Sequence, residues 1–206
     1  MKNRLHAAGL RILGAVHKAG STIYLVGPDG PAFWNIFCAS PEFRDGRPDP
    51  IDRYSTRILN DIAIATDSEA LFPFGGPPYL PFFQWAVNSG RCFKSPIHLL
   101  IHSELGLFAS FRGALKCDGT LLLPAPAAPP CESCIDKPCL AACPVQALTK
   151  SNYDVAACHV FLDSEPGAAC MTRGCAVRRA CPIGQNERLE AQSAFHMKSF
   201  HKGAAK

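Results

Sequence analysis

Residues Cys131 to Pro144 read C-E-S-C-I-D-K-P-C-L-A-A-C-P, four cysteines closed by a proline. Thiolates at this spacing bind metal, and two chemistries compete for them. The run is close to C-x2-C-x2-C-x3-C-P, a pattern that holds iron–sulfur clusters and sends its fourth cysteine to a second cluster. Here the gap before Cys139 is four residues, widened by Lys137-Pro138. A structural zinc ion is the alternative. Zinc is satisfied by four ligands, whereas Cys158, Cys170, Cys175 and Cys181 follow downstream, the last again before a proline, Pro182. The repeated Cys-Pro ending marks two half-sites and favours iron–sulfur.

The rest of the chain must position these thiols. At 206 residues with 48% hydrophobic content, it can build one medium domain and a small module. Eleven cysteines would mean disulfides in a secreted protein, but residues 1–20 carry Arg11 inside their apolar part and no small-residue cleavage site. No stretch approaches the roughly 20 apolar residues of a membrane span. The reading is therefore a reducing cytoplasm, with metal as the use of the cysteines and no membrane partner. The formal charge is +4. Eight thiolates around two clusters of core charge about +2 each would add about −4, so charge gives no basis for nucleic-acid binding.

Residues 1–20 read as an amphipathic helix with Leu5, Ala8, Ile12, Leu13 and Val16 on one face. Ser21 to Val26 reads as a strand and residues 27–31 as a turn. The apolar run Ala32 to Ala39 fits a strand buried on both faces. A loop over 41–50 leads to a helix N-capped by Asp52 and running through Tyr54, Ile58, Leu59, Ile62 and Ala63. The Pro/Gly-rich stretch 71–81, with Gly75 and Gly76 at its centre, is a ligand-holding or turn-forming loop, followed by a helix through Phe82, Phe83, Trp85, Ala86 and Val87. Residues 97–101 and 107–115 read as strands. Cys38, Cys92 and Cys117 read as small buried hydrophobes.

The predicted class is α+β: a mixed-sheet domain with flanking helices over 1–123, a Pro/Ala linker over 124–130, a ferredoxin-like two-cluster module over 131–184 and a basic tail over 185–206. That tail, with Arg188, Lys198, Lys202 and Lys206, reads as a solvated helix or frayed end. Arg173, Arg178 and Arg179 would either favour the reduced form of the second cluster or form a solvated face.

The cysteine run resembles the bacterial two-cluster ferredoxin pattern, and the second half of the chain resembles the module of epoxyqueuosine reductases, where a cysteine some fifteen positions after the Cys-Pro run, here Cys158, joins the second cluster. The resemblance implies a crossed ligand set: Cys131, Cys134, Cys139 and Cys181 for one [4Fe-4S] cluster, and Cys143, Cys158, Cys170 and Cys175 for the other. Val145, Ala147 and Ile183 would pack against the clusters.

The first half is similar to CblC-type cobalamin-processing proteins and to the corrinoid-binding part of the same reductases, through Asp49-Pro50-Ile51-Asp52 and the stretch from Ile101 to Gly113 (IHSELGLFASFRG). This implies a corrinoid on the first domain, with His102, Gly106, Phe108, Arg112, Gly75 and Gly76 as cofactor-binding candidates and the clusters as its electron supply. No Asp or Glu stands at 74–78, where those reductases carry an acidic proton donor, and their longer C-terminal helical extension has no counterpart here. Epoxyqueuosine in tRNA is therefore not the expected substrate. His102 could equally be a hydrogen-bonded structural residue, Arg112 could pair inside the fold, and Phe82, Phe83 and Trp85 could be either ring-lining or core.

The leading expectation is an iron–sulfur reductase acting on a corrinoid or through it on a small molecule, fed by a flavodoxin or ferredoxin reductase. Two alternatives stand: a ferredoxin-type carrier whose first domain docks a partner enzyme, and a flavin-linked reductase. The sequence names no catalytic residue.

Overall fold

The computed structural model describes residues 1–203, so the expected tail residue Lys206 lies outside the described residues, as does the side chain of Lys202. The chain forms two compact units. The first comprises 1–93 and 109–128, the second 94–108 and 129 onward. This differs from the expected boundary at 123, because 94–108 belongs with the cysteines.

The first unit opens with α1 (Lys2–Ala7), β1 (Leu10–Lys18) and β2 (Ser21–Pro28). The single helix expected over 1–20 is thus a short helix and a strand. Gly9, at φ +68°, ends α1, and Ala19-Gly20, both at positive φ, turn the chain back so that Lys18 pairs with Ser21. A two-residue hairpin turn with both central residues in this region matches the twist of its strands. Leu13 is the extra residue of a bulge between Ile12 and Gly14, which breaks the strict alternation that would have identified a strand.

Next come α2 (Gly30–Cys38), α3 (Pro41–Arg44) and α4 (Pro50–Ala65). The buried strand expected over 32–39 is α2. Pro31 sits in its first turn, and Phe33 and Phe37, one helical turn apart, stack with ring centroids 5.7 Å apart. Both rings are fully buried and meet Tyr54 of α4 edge-on. The Tyr54 hydroxyl donates to the Ala8 carbonyl at 3.1 Å. The N-cap of α4 is Asp49, not Asp52. After α4 come β3 (Glu69–Leu71), the 72–81 loop, α5 (Phe82–Asn88) and β4 (Cys92–Lys94), where the chain leaves the unit; β5 (Leu100–His102) lies outside it and β6 (Gly113–Asp118) returns to it. Residues 107–112 are not strand.

The sheet runs β1-β2-β6-β3 and every pairing is antiparallel. The α+β class holds, but the expected mixed sheet is antiparallel. The Pro/Ala stretch is not a free linker as far as Ala128. Ala127 donates to the Gly90 carbonyl at 2.9 Å and Arg91 to that of Ala125 at 3.3 Å.

The second unit contains α6 (Pro130–Ser133), α7 (Val155–Leu162), α8 (Ala168–Arg173), α9 (Ala176–Ala180) and α10 (Glu190–Gly203). Isolated antiparallel bridges join His102 to Gly106 and Leu148 to Tyr153. The expected solvated tail is α10, which packs along α8. Phe200 stacks on Tyr153 at 6.2 Å, and His201 bonds His159 at 2.9 Å and Asp163 at 2.7 Å. Among the described residues, no helix is long and apolar enough to cross a membrane.

Ala19 sits at φ +49°, a region that costs an L-residue with a Cβ roughly 1–2 kcal/mol. Ala19→Asn, which tolerates this conformation and suits the hairpin turn, is expected to raise unfolding stability by about 0.5–1 kcal/mol, read from the urea midpoint. A second prediction concerns Glu42, which is buried and bonded by the Arg57 guanidinium at 2.5 and 3.1 Å. That hydrogen bond holds its carboxyl below the usual value, against the opposing effect of burial. A lowered folded-state value stabilises above the unfolded value of about 4.3 and is lost as pH falls through the folded value. Glu42→Gln should therefore cost about 1 kcal/mol at pH 7 and progressively less as the pH falls below the unfolded value of about 4.3. Urea melts of both proteins across this range check it; a gap that does not shrink with falling pH rejects the ion pair.

Candidate functional site

The second unit holds two hollows, each walled by four cysteines. Cys131, Cys134, Cys139 and Cys181 line the first, together with Ser95, Pro96, Ile101, Leu107, Pro182 and Ile183. Cys143, Cys158, Cys170 and Cys175 line the second, together with Val145, Ala147, Tyr153, Leu162, Val177 and Met197. The eight expected metal ligands are thus gathered four by four, in the same grouping as the crossed set. Val145, Ala147 and Ile183 stand at the walls.

Short elements deliver the thiols. Cys131 rides α6 and Cys134 ends it; Cys139 sits in a tight 3-10 turn, Pro138–Leu140. Lys137 before that turn adopts φ +41°, so the inserted Lys-Pro pair reverses the chain. Cys158 lies on α7, whose first turn is capped by Asp154 accepting from Ala157. Cys170 lies on α8, Cys175 begins α9 and Cys181 ends it.

All eleven cysteines are free thiols. Burial pushes the Cys131 thiol up, and Cys139, Cys181 and Cys134 push it further. Cys139 is raised by burial and then by Cys181 and Cys134, while backbone N–H groups at 139 and 140 act in the opposite sense. Cys158 is raised by burial; the Tyr153 hydroxyl lowers it, and Cys175, Cys143 and Cys170 raise it. These three thiols are therefore harder to ionise, an effect that a cationic occupant would relieve. Donors already face sulfur in the second hollow: Ala147 N–H at 3.2 Å from Cys143 and the Tyr153 hydroxyl at 3.9 Å from Cys158.

Among the described residues, no group of three or more His, Cys, Asp or Glu side chains can hold a single metal ion. A tetrahedral zinc with 2.3 Å bonds needs its sulfurs about 3.8 Å apart. A cluster is larger than one ion, and its ligands stand around it. The residues fit such a group in donor type, number and apolar surroundings.

The six residues expected to hold a second cofactor do not form one site within either unit. His102, Gly106 and Phe108 belong to the second unit, and Arg112, Gly75 and Gly76 to the first. His102 is buried, and its Nδ1 accepts the N–H groups of Glu104 and Leu105 at 3.1 and 3.2 Å; it pins a turn. Arg112 lies 3.3 Å from Asp52 and donates to Ser110 at 3.0 Å, an ion pair inside the first unit. Gly76 precedes Pro77 and Pro78 in a tight bend, and a Cβ on Gly75 would make only ordinary contact with Phe72. Phe82 and Trp85 are core, while Phe83 is about half exposed. Cys92 is fully buried, and burial pushes its thiol up to about 12; Cys38 and Cys117 are also raised by burial. Arg173 is paired with Glu190, and Arg179 donates to the Gly174 carbonyl, so neither is a free basic face.

The sequence reading missed two features. Tyr153 carries no motif and was found only through its reach to Cys158. A cavity of about 750 Å³ in the first unit, lined by Lys2, Leu5, His6, Arg11, Tyr24 and residues 121–124, was hidden by the reading of residues 1–20 as one helix. Comparisons with protein-family models, curated proteins and solved structures found no match.

Proposed function

We propose that this chain is an iron–sulfur electron-transfer protein, with Cys131, Cys134, Cys139 and Cys181 holding one [4Fe-4S] cluster and Cys143, Cys158, Cys170 and Cys175 a second. One observation carries the reading: eight thiols gathered four by four around two apolar hollows. When bound, such clusters take up and release single electrons at potentials set by hydrogen bonding, charge and exposure. The chain's own residues supply those controls. Ile101, Leu107 and Ile183 keep water from the first set, and Ala147 and Tyr153 donate to sulfurs of the second.

In this reading 129–203, with 94–108, is a ferredoxin-like module working in a reducing compartment such as the cytoplasm, with a flavodoxin or ferredoxin reductase as donor. The first unit binds the electron acceptor. The resemblance names a corrinoid for it; a flavin and a docked enzyme are the alternatives.

Anaerobic reconstitution is expected to give about eight iron and eight sulfide per chain. Near four, or zinc with no sulfide, rejects the two-cluster assignment. Cys158→Ser should leave the first cluster and remove or distort the second, seen as a change in the electron paramagnetic resonance spectrum of the reduced protein. For the acceptor, cob(II)alamin is expected to change its visible spectrum on titration with the protein; an unshifted spectrum at saturating protein removes the corrinoid and leaves the carrier.

A further inference from the structure

Three of the four thiols around the first hollow come from one short run, Cys131 to Cys139. The fourth, Cys181, lies 42 positions beyond Cys139, and something must seat it. Two backbone segments approach each other closely there. A Cβ on Gly106 would overlap the Ile183 carbonyl and lie 3.2 Å from the Cys181 sulfur; a Cβ on Gly184 would overlap the Leu105 carbonyl. Gly106 has φ +58° and Gly184 φ +75°, so both positions require glycine for conformation as well as space.

The turn carrying Gly106 is stiff. His102 and Gly106 exchange both backbone hydrogen bonds at 2.9 Å, and the buried imidazole of His102 accepts from Glu104 and Leu105. Ile101, Leu105 and Leu107 are buried on either side. Across from it, the Gln185 side-chain amide donates to the Cys181 carbonyl. Residues 94–108 are bounded in the chain by Phe93 and Ala109, which belong to the other unit, so the cysteine module receives this wall from outside its own sequence.

We propose that Gly106 is a positioning residue for the first cluster. The turn 102–106 seats the Cys181 thiolate, and His102 holds the turn. This rests on the iron–sulfur reading and assigns to the His102–Gly106 stretch a role toward the first cluster only.

The test reconstitutes the full chain anaerobically as wild type, Gly106→Ala and Gly119→Ala. Gly119 has φ +86° with nothing within 4 Å, so its substitution brings backbone strain without the clash. Iron is counted, and alkylation of the native protein followed by mass spectrometry shows which cysteines are free. Gly106→Ala is expected to fall from about eight iron toward about four, with Cys131, Cys134, Cys139 and Cys181 labelled and the other four protected, while Gly119→Ala matches wild type. Retention of both clusters, or loss of the second or of both from a folded Gly106→Ala, overturns the proposal. Should circular dichroism show Gly106→Ala unfolded, His102→Ala, which frees the turn without a clash, is judged by the same pattern. Should wild type take up no iron, the iron–sulfur reading fails by itself. Labelling of Cys181 in the metal-free protein then decides: about tenfold faster in Gly106→Ala than in wild type supports the seat, and equal rates overturn it.

Discussion

Four cysteines line each of two apolar hollows in this chain, and burying a thiol among other thiols works against its ionisation. Burial raises Cys131, Cys139 and Cys158, and in each case the neighbours of the same hollow raise them further. A cationic occupant would relieve that opposition. In the second unit the helices before α10 run from four to eight residues, shorter than those stable alone in water. On the proposed reading, binding free energy becomes folding free energy for this unit. The first unit, with its four-stranded sheet and its stacked Phe33, Phe37 and Tyr54, has a core of its own.

The two hollows draw on both halves of the cysteine sequence. Cys143 and Cys181 both precede prolines, and each lines the hollow to which the other half contributes most. Each hollow thus takes three cysteines from one half and one from the other. That grouping of the cysteines was legible because residue identity and spacing are printed directly in a sequence. Cys158, which lies on α7 away from the other cysteines in sequence, stands at the wall of the second hollow.

The fold of the first unit was less legible, for reasons that lie in particular residues. Residues 10–18 place Leu10, Leu13, Ala15 and Val16 inside, a set that imitates a helical face because a bulge at Leu13 shifts the alternation by one. The hairpin turn is Ala-Gly, without the asparagine or aspartate that usually marks it. The run 32–39 is apolar on nearly every residue, and periodicity cannot separate a buried strand from a short buried helix; Pro31 was the available signal. The Asp52–Arg112 pair joins residues 60 positions apart, and no local pattern encodes such a partnership.

The stretch from Ile101 to Gly113 shows where reading chemistry from residue type stops. Its histidine, glycines and arginine suggested one binding surface, yet the chain divides them at 108. His102 spends an imidazole nitrogen on two backbone N–H groups, and Arg112 spends its charge on Asp52. A polar residue can bind a ligand only through donors or acceptors the fold has left open; Nδ1 of His102 is taken, and in the Arg112 guanidinium Nη1 and Nη2 are taken while Nε has no hydrogen-bond partner. Gly106 is the opposite case, a residue with no functional group whose absence of a side chain lets two backbones and a sulfur meet. If thiol geometry governs the first hollow, the residue that most constrains it is therefore one that a search for reactive side chains passes over.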